Sequence, residues 1–90
     1  MFPMEQQQLA GDELAAQTKA ARTFSGALMR EQREKKSLSR PDLVIALYDL
    51  DCRVAEMTLL RYESGESVPD VNTAGKIAQA LGVRLDNLMV

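Results

Sequence analysis

Histidine and tryptophan are missing from this chain, and cysteine occurs once, at Cys52. Without histidine there is no Ser-His or Cys-His nucleophilic pair and no imidazole to bind a metal. A lone cysteine makes neither an internal disulfide nor a Cys-pair zinc site, and nothing in it signals an oxidising compartment. Only Phe2, Phe24, Tyr48 and Tyr62 are aromatic, so the core has to be aliphatic. The longest apolar run, Leu43 to Tyr48, is six residues, far short of the ~20 that span a bilayer. The first basic residue is Lys19, so the positive start and apolar stretch of a signal peptide are lacking. These absences leave a soluble, cytoplasmic protein with no membrane partner as the expectation.

What is present amounts to one small domain. Ninety residues bury roughly 60–65% of their unfolded surface, enough for one modest core. The hydrophobic fraction is 46% and the charged fraction 27%, as in soluble globular chains rather than disordered ones. Net charge is −2, which argues mildly against a polyanion partner, but the charges are not spread evenly. Residues 1–18 hold three acids and no base, residues 19–40 hold seven bases against Glu31 and Glu34, and residues 41–90 hold four bases against eight acids. The basic block Lys19, Arg22, Arg30, Arg33, Lys35, Lys36 and Arg40 is either a solvated helix face or a surface for an anionic partner.

Residues 1–21 read as an N-terminal arm. Asp12 is a plausible N-cap there, with Leu14, Ala15 and Ala21 at helical spacing. The apolar stripe is thin, so the arm is expected to be a marginal helix or disordered. From 22 to 90 the signals strengthen. A first helix is predicted from near Thr23 or Ser25 to about Lys36, turning Phe24, Leu28 and Met29 inward and ending on a cluster of cations that suits the helix dipole. A second starts on Ser39 as N-cap with Pro41 and Asp42 in its first turn, carries Leu43, Ile45, Ala46 and Leu47, and ends near Leu50. A third is predicted to start on Asp51 as N-cap and stop at Ser64-Gly65, with Cys52, Ala55, Leu59 and Tyr62 on one apolar stripe. A fourth starts on Asp70, buries Val71, Ala74, Ile77, Ala78 and Leu81, and ends at Gly82. A last turn packing Val83, Leu85 and Leu88 makes a fifth helical element. No stretch alternates with a period of two, so the expected fold is all-α.

Two short matches fail on inspection. Gly75-Lys76 has Asp70 and Ile77 where a phosphate-binding loop needs glycine and a hydroxyl residue. Asp70, Asn72 and Gly75 imitate the start of a calcium loop, but Ala74 and Leu81 fall at ligand positions. Thirteen carboxylates supply raw material for acid–base work, yet no spacing places two in one cleft. No catalytic residue, cofactor or metal is assigned, and enzyme activity is not expected.

A longer pattern is more specific. Arg33-Glu34-Lys35-Lys36-Ser37-Leu38-Ser39, then Arg61-Tyr62-Glu63-Ser64-Gly65, then Pro69, then Lys76 through Leu88 occur in an order that resembles the Cro/phage-repressor (Xre-like) helix-turn-helix family. The resemblance runs from about residue 25 to 90. It implies a five-helix, lambda-repressor-like domain over 22–90, with a recognition helix at about 52–63. Departures are visible. Ser37 stands where the family usually has glycine, Arg40 where it has glutamine, and Val44 where it has a small residue. Tyr48-Asp49-Leu50-Asp51-Cys52 is an insertion, expected as an extra turn shared between the second and third helices.

The resemblance implies a sequence-specific transcriptional regulator that binds double-stranded DNA as a homodimer. Carried over by position, Glu56, Met57 and Arg61 become base-reading candidates. Their chemistry fits cytosine N4, a thymine methyl and guanine respectively. Ser39, Arg40 and Ser64 become phosphate contacts, and Arg53, which borders the insertion but lies on the same side, is added to the DNA-binding set. Arg33 and Glu63 are implied to form a structural ion pair, and Cys52 reads as a buried small hydrophobe. With one turn following the helix-turn-helix core, regulation is expected from abundance, a partner, or residues 1–20. A second reading stays open: a protein-interaction adaptor, coactivator-like factor or antitoxin on the same fold. It rests on the acidic insertion and on a protein partner engaging residues 1–21 or the Met57/Leu60 face.

Overall fold

A computed structural model describes residues 22–90; the proposed arm, 1–21, lies outside the described residues. Four α-helices follow in order, α1 (Gly26–Lys35), α2 (Arg40–Tyr48), α3 (Glu56–Ser64) and α4 (Val71–Leu81), and then one 3-10 turn, Leu85–Leu88. The fold is all-helical, as expected, but the fifth element is only that short turn. Phe24 and Met89 form an isolated antiparallel bridge. Its neighbours Thr23 and Val90 exchange two backbone hydrogen bonds of 3.1 and 2.8 Å.

Three helix starts are held by their own side chains. The Leu28 amide donates to Ser25 Oγ at 3.1 Å, and the Thr73 amide to Asp70 Oδ1 at 2.7 Å. Ser39 and Asp42 form a reciprocal capping box at the head of α2, each backbone N–H donating to the other's side chain at 3.1 Å. Each such cap satisfies an amide that a helix start otherwise leaves without a partner.

The four helix ends share one device. Each closes on a left-handed residue, with one hydrogen bond spanning five residues and a second spanning three, the Schellman pattern. In α3 and α4 that residue is Gly65 (φ 84°) and Gly82 (φ 71°), where a missing Cβ makes positive φ cheap. In α1 it is Ser37 (φ 57°), with the Leu38 amide on Arg33 O and the Ser37 amide on Glu34 O. After α2 it is Asp51 (φ 62°), with the Cys52 amide on Leu47 O and the Asp51 amide on Tyr48 O.

This geometry corrects the expected start of the third helix. An N-cap residue needs extended backbone, and Asp51 is left-handed, so it closes the α2 turn instead of opening α3. Residues 52–55 then run without regular structure, Cys52 and Val54 packing against the core while Arg53 and Ala55 face out. The N-cap of α3 is Ala55, which offers no side-chain hydrogen bond. The helix expected to be the recognition helix therefore spans 56–64, not 52–63, and the insertion makes a turn plus a linker rather than shared helix. Similarly, α2 ends at Tyr48 rather than near Leu50. Val71, expected in the core, is 80% exposed.

Met29, Leu43, Leu47, Leu59, Ile77, Ala78, Leu81 and Leu88 form the core, with Phe24, Cys52 and Tyr62 partly buried against it. Burying each large aliphatic side chain is worth roughly 1.5–3 kcal/mol. α1 packs on α3, α2 lies against both α3 and α4, and the 3-10 turn joins α4 to α1. At Gly26 a Cβ would collide with the carbonyl oxygens of Tyr62 and Glu63, so α1 approaches the end of α3 at backbone distance. That close crossing brings Arg33 to Glu63.

Candidate nucleic-acid interface

α3 turns Leu59 fully inward, buries the Glu63 side chain and half-buries Thr58 and Tyr62. Glu56, Met57, Leu60, Arg61 and Ser64 are all exposed and recur at helical spacing, which puts them on one outward face. The three base-reading candidates thus stand together. Among the described residues Arg61 is held only by a 4.0 Å contact to exposed Glu66, a surface pairing worth little. Ser64 is less free, since its Oγ donates to Arg61 O at 3.1 Å and accepts the Glu66 amide at 3.4 Å.

The phosphate candidates sit at the head of α2. Ser39 Oγ is committed to the capping box. Its partner Asp42 is held below the ordinary carboxylate range by hydrogen bonds from the backbone and side chain of Ser39. Arg40 Nε donates to Glu63 Oε1 at 3.1 Å. The same carboxylate accepts Arg33 Nε on Oε2 at 2.6 Å and Arg33 Nη2 on Oε1 at 3.2 Å, while Arg33 Nη1 donates to Leu38 O at 2.7 Å. The implied Arg33–Glu63 pair is therefore present, and it ties α1 to α3. Glu63's hydrogen bond raises the Arg33 pKa above its ordinary value, against the opposing effect of burial.

Arg53 is not on the recognition helix. It lies in the linker with its guanidinium 5.3 Å from the centre of the Tyr48 ring, a cation–π arrangement that pins it beside the insertion. Asp49 and Asp51 are exposed there, and Cys52 is only half-buried. Among the described residues no three His, Cys, Asp or Glu side chains gather as a metal site would require, and no helix is long and apolar enough to cross a membrane.

A helix-turn-helix family model matches residues 29–88. The chain belongs to that helix-turn-helix family, the Cro/phage-repressor-like one. No curated protein and no solved structure matches it. The family is one of DNA-binding regulators and is not typically enzymatic.

Within this helix-turn-helix the motif is α2, the inserted turn and linker, and α3. Two features of it escape a reading of spacing. One is the Arg40–Glu63 bond, whose partners are 23 positions apart; the only sequence signal was an arginine where the family has glutamine. The other is the Tyr48–Arg53 stack, which the insertion creates and which no local periodicity marks.

Proposed function

We propose that this helix-turn-helix protein is a sequence-specific transcriptional regulator that binds double-stranded DNA as a homodimer, through the domain formed by residues 22–90. The observation that carries this reading is the outward face of α3, where Glu56, Met57 and Arg61 stand exposed together. The major groove admits one α-helix whose side chains meet base edges, and in such motifs the second helix enters it while the first approaches the backbone. Arg61 pairs with guanine, Glu56 accepts from cytosine, and Met57 contacts a thymine methyl. Ser39, Arg40 and Ser64 face phosphate, and Arg53 is a further DNA contact beside the insertion. One recognition helix makes few contacts, so specificity calls for two copies on a two-fold-related site. A cytoplasmic location follows from this reading.

The competing reading is a protein-docking adaptor. It is favoured by the exposure of Met57 (55%) and Leu60 (39%) on the same face. Selection of duplexes from a random pool, followed by salt titration, separates the two. A DNA regulator enriches a two-fold motif and loses affinity steeply with salt as counterions leave. Arg61→Ala is expected to cost about 1–3 kcal/mol on the selected site and to erase preference at one base position per half-site. Absence of any enriched motif, with binding insensitive to salt, favours the adaptor.

A further inference from the structure

We propose that Glu63 is the positioning residue of a phosphate clamp, in which a phosphodiester oxygen of duplex DNA completes a row of alternating charges: Arg33, Glu63, Arg40, phosphate. The inference rests on the DNA-binding reading and deepens it. The Glu63 side chain is 2% exposed and carries two guanidinium partners, Arg33 at 8% and Arg40 at 29% exposure. Glu63 is the one carboxylate bonded to either guanidinium among the described residues; exposed Glu34, itself paired with Arg30, acts on Arg33 only from a distance. The bonded cluster therefore holds a surplus positive charge partly withdrawn from water, where an uncompensated charge is costly.

The geometry says which arginine carries the surplus. Arg33 spends Nε and Nη2 on Glu63 and Nη1 on Leu38 O, so each of its donor nitrogens is engaged. Arg40 spends only Nε; its two Nη nitrogens have no partner among the described residues, and it is the more exposed of the pair. A guanidinium is a planar fork with donors on two edges. Held by Glu63 at the Nε edge, Arg40 keeps its Nη edge for an outside acceptor with its orientation already set. An anion is the ligand that also cancels the surplus charge. A lysine has donors enough for both acceptors, but as a point charge on a flexible stem it lacks the fixed fork that sets the direction of the second contact.

Glu63 also belongs to α3, so the clamp joins the recognition helix to the point where α2 meets the backbone. The contact carries no base information and acts alike on every sequence.

The test compares the full chain with Arg40→Gln and Arg40→Lys, measuring affinity for two duplexes of unrelated sequence across a salt series, alongside thermal melting. One lost phosphate contact lowers the slope of log affinity against log salt by about 0.9. Between about 50 and about 200 mM salt, Arg40→Gln should therefore lose roughly 3–4-fold less affinity than wild type does, equally on both duplexes. Arg40→Lys should keep the slope yet bind both duplexes more weakly than wild type, because Glu63 no longer aims the charge. An unchanged slope in Arg40→Gln with a lowered melting temperature would make Arg40 a structural partner of Glu63 and overturn the clamp. Wild-type affinity in Arg40→Lys would overturn the positioning role, since charge alone would then suffice. Failure of the wild-type chain to retain either duplex at low salt would instead overturn the DNA-binding reading itself.

Discussion

At the scale of the residue, the left-handed positions decide where helices stop. Gly65 and Gly82 adopt positive φ at little cost, but Ser37 does so with a Cβ present. For an L-residue the left-handed conformation costs roughly 1–2 kcal/mol, and glycine escapes it at the expense of a more flexible unfolded chain. Ser37→Gly should therefore stabilise the fold by about 0.5–1 kcal/mol, a rise in melting temperature of roughly 2–8 °C for a domain of this size. Asp51→Gly should gain less, because aspartate tolerates positive φ better than serine. Equal or reversed gains in a thermal melt would contradict this account of the two ends. Asp51 also explains a misreading. By residue type it is a good N-cap, and the spacing Cys52, Ala55, Leu59, Tyr62 supports a helix beginning there. Its φ of 62°, which no periodicity encodes, makes it an ending instead.

At the scale of the element, α3 differs from its neighbours at its start. α1, α2 and α4 are capped by Ser25, Ser39 and Asp70, whereas Ala55 leaves the first amides of α3 without a side-chain acceptor. The backbone at Ala55 (φ −77°, ψ 154°) already has N-cap geometry. A hydroxyl there should reach an amide of the first turn, so Ala55→Ser is expected to add about 1 kcal/mol. The gain should appear as slowed amide exchange in the first turn of α3 and a higher melting temperature; unchanged exchange there would refute it. The Ser39 and Asp70 caps and the two glycine ends were legible because their chemistry is local: a hydroxyl or carboxylate three residues before an amide, a glycine after the last turn; the start of α1 was placed only to Thr23 or Ser25. The linker was not. It alternates Cys52 and Val54 inward with Arg53 and Ala55 outward, and Cys52 merges into the helical stripe of α3 when only the inward residues are counted. Val71 failed for the opposite reason, as an apolar residue one position inside α4 that the core does not reach. On the site, Glu56, Met57 and Arg61 came by position from the family resemblance, and helical spacing opposite Leu59 puts them on one outward face. Arg40's bond to Glu63 depends on how α2 and α3 cross and has no local trace.

At the scale of the whole molecule, exposed carboxylates that work as caps make the helices sensitive to acid. Asp42 and Asp70 both lie below the ordinary carboxylate range, each lowered first by a backbone hydrogen bond, from Ser39 and Thr73 respectively. A carboxyl whose folded pKa is depressed binds protons more readily when unfolded, so the stability it contributes is present above the unfolded value of about 3.9 and lost as pH falls through the folded one. Melting temperature should be nearly level from neutral pH to about 5 as far as these two groups are concerned, then fall as acid protonates the caps of α2 and α4. Asp70→Asn separates this from general charge repulsion. Asparagine still accepts the Thr73 amide and remains a good N-cap, but it does not titrate. The variant should therefore be somewhat less stable than wild type near neutral pH, where the cap loses its charge at the positive end of the α4 dipole. The two melting curves should converge as pH drops below the ordinary carboxylate range. Parallel acid profiles for wild type and Asp70→Asn would mean that the α4 cap is not among the groups linking this fold to pH.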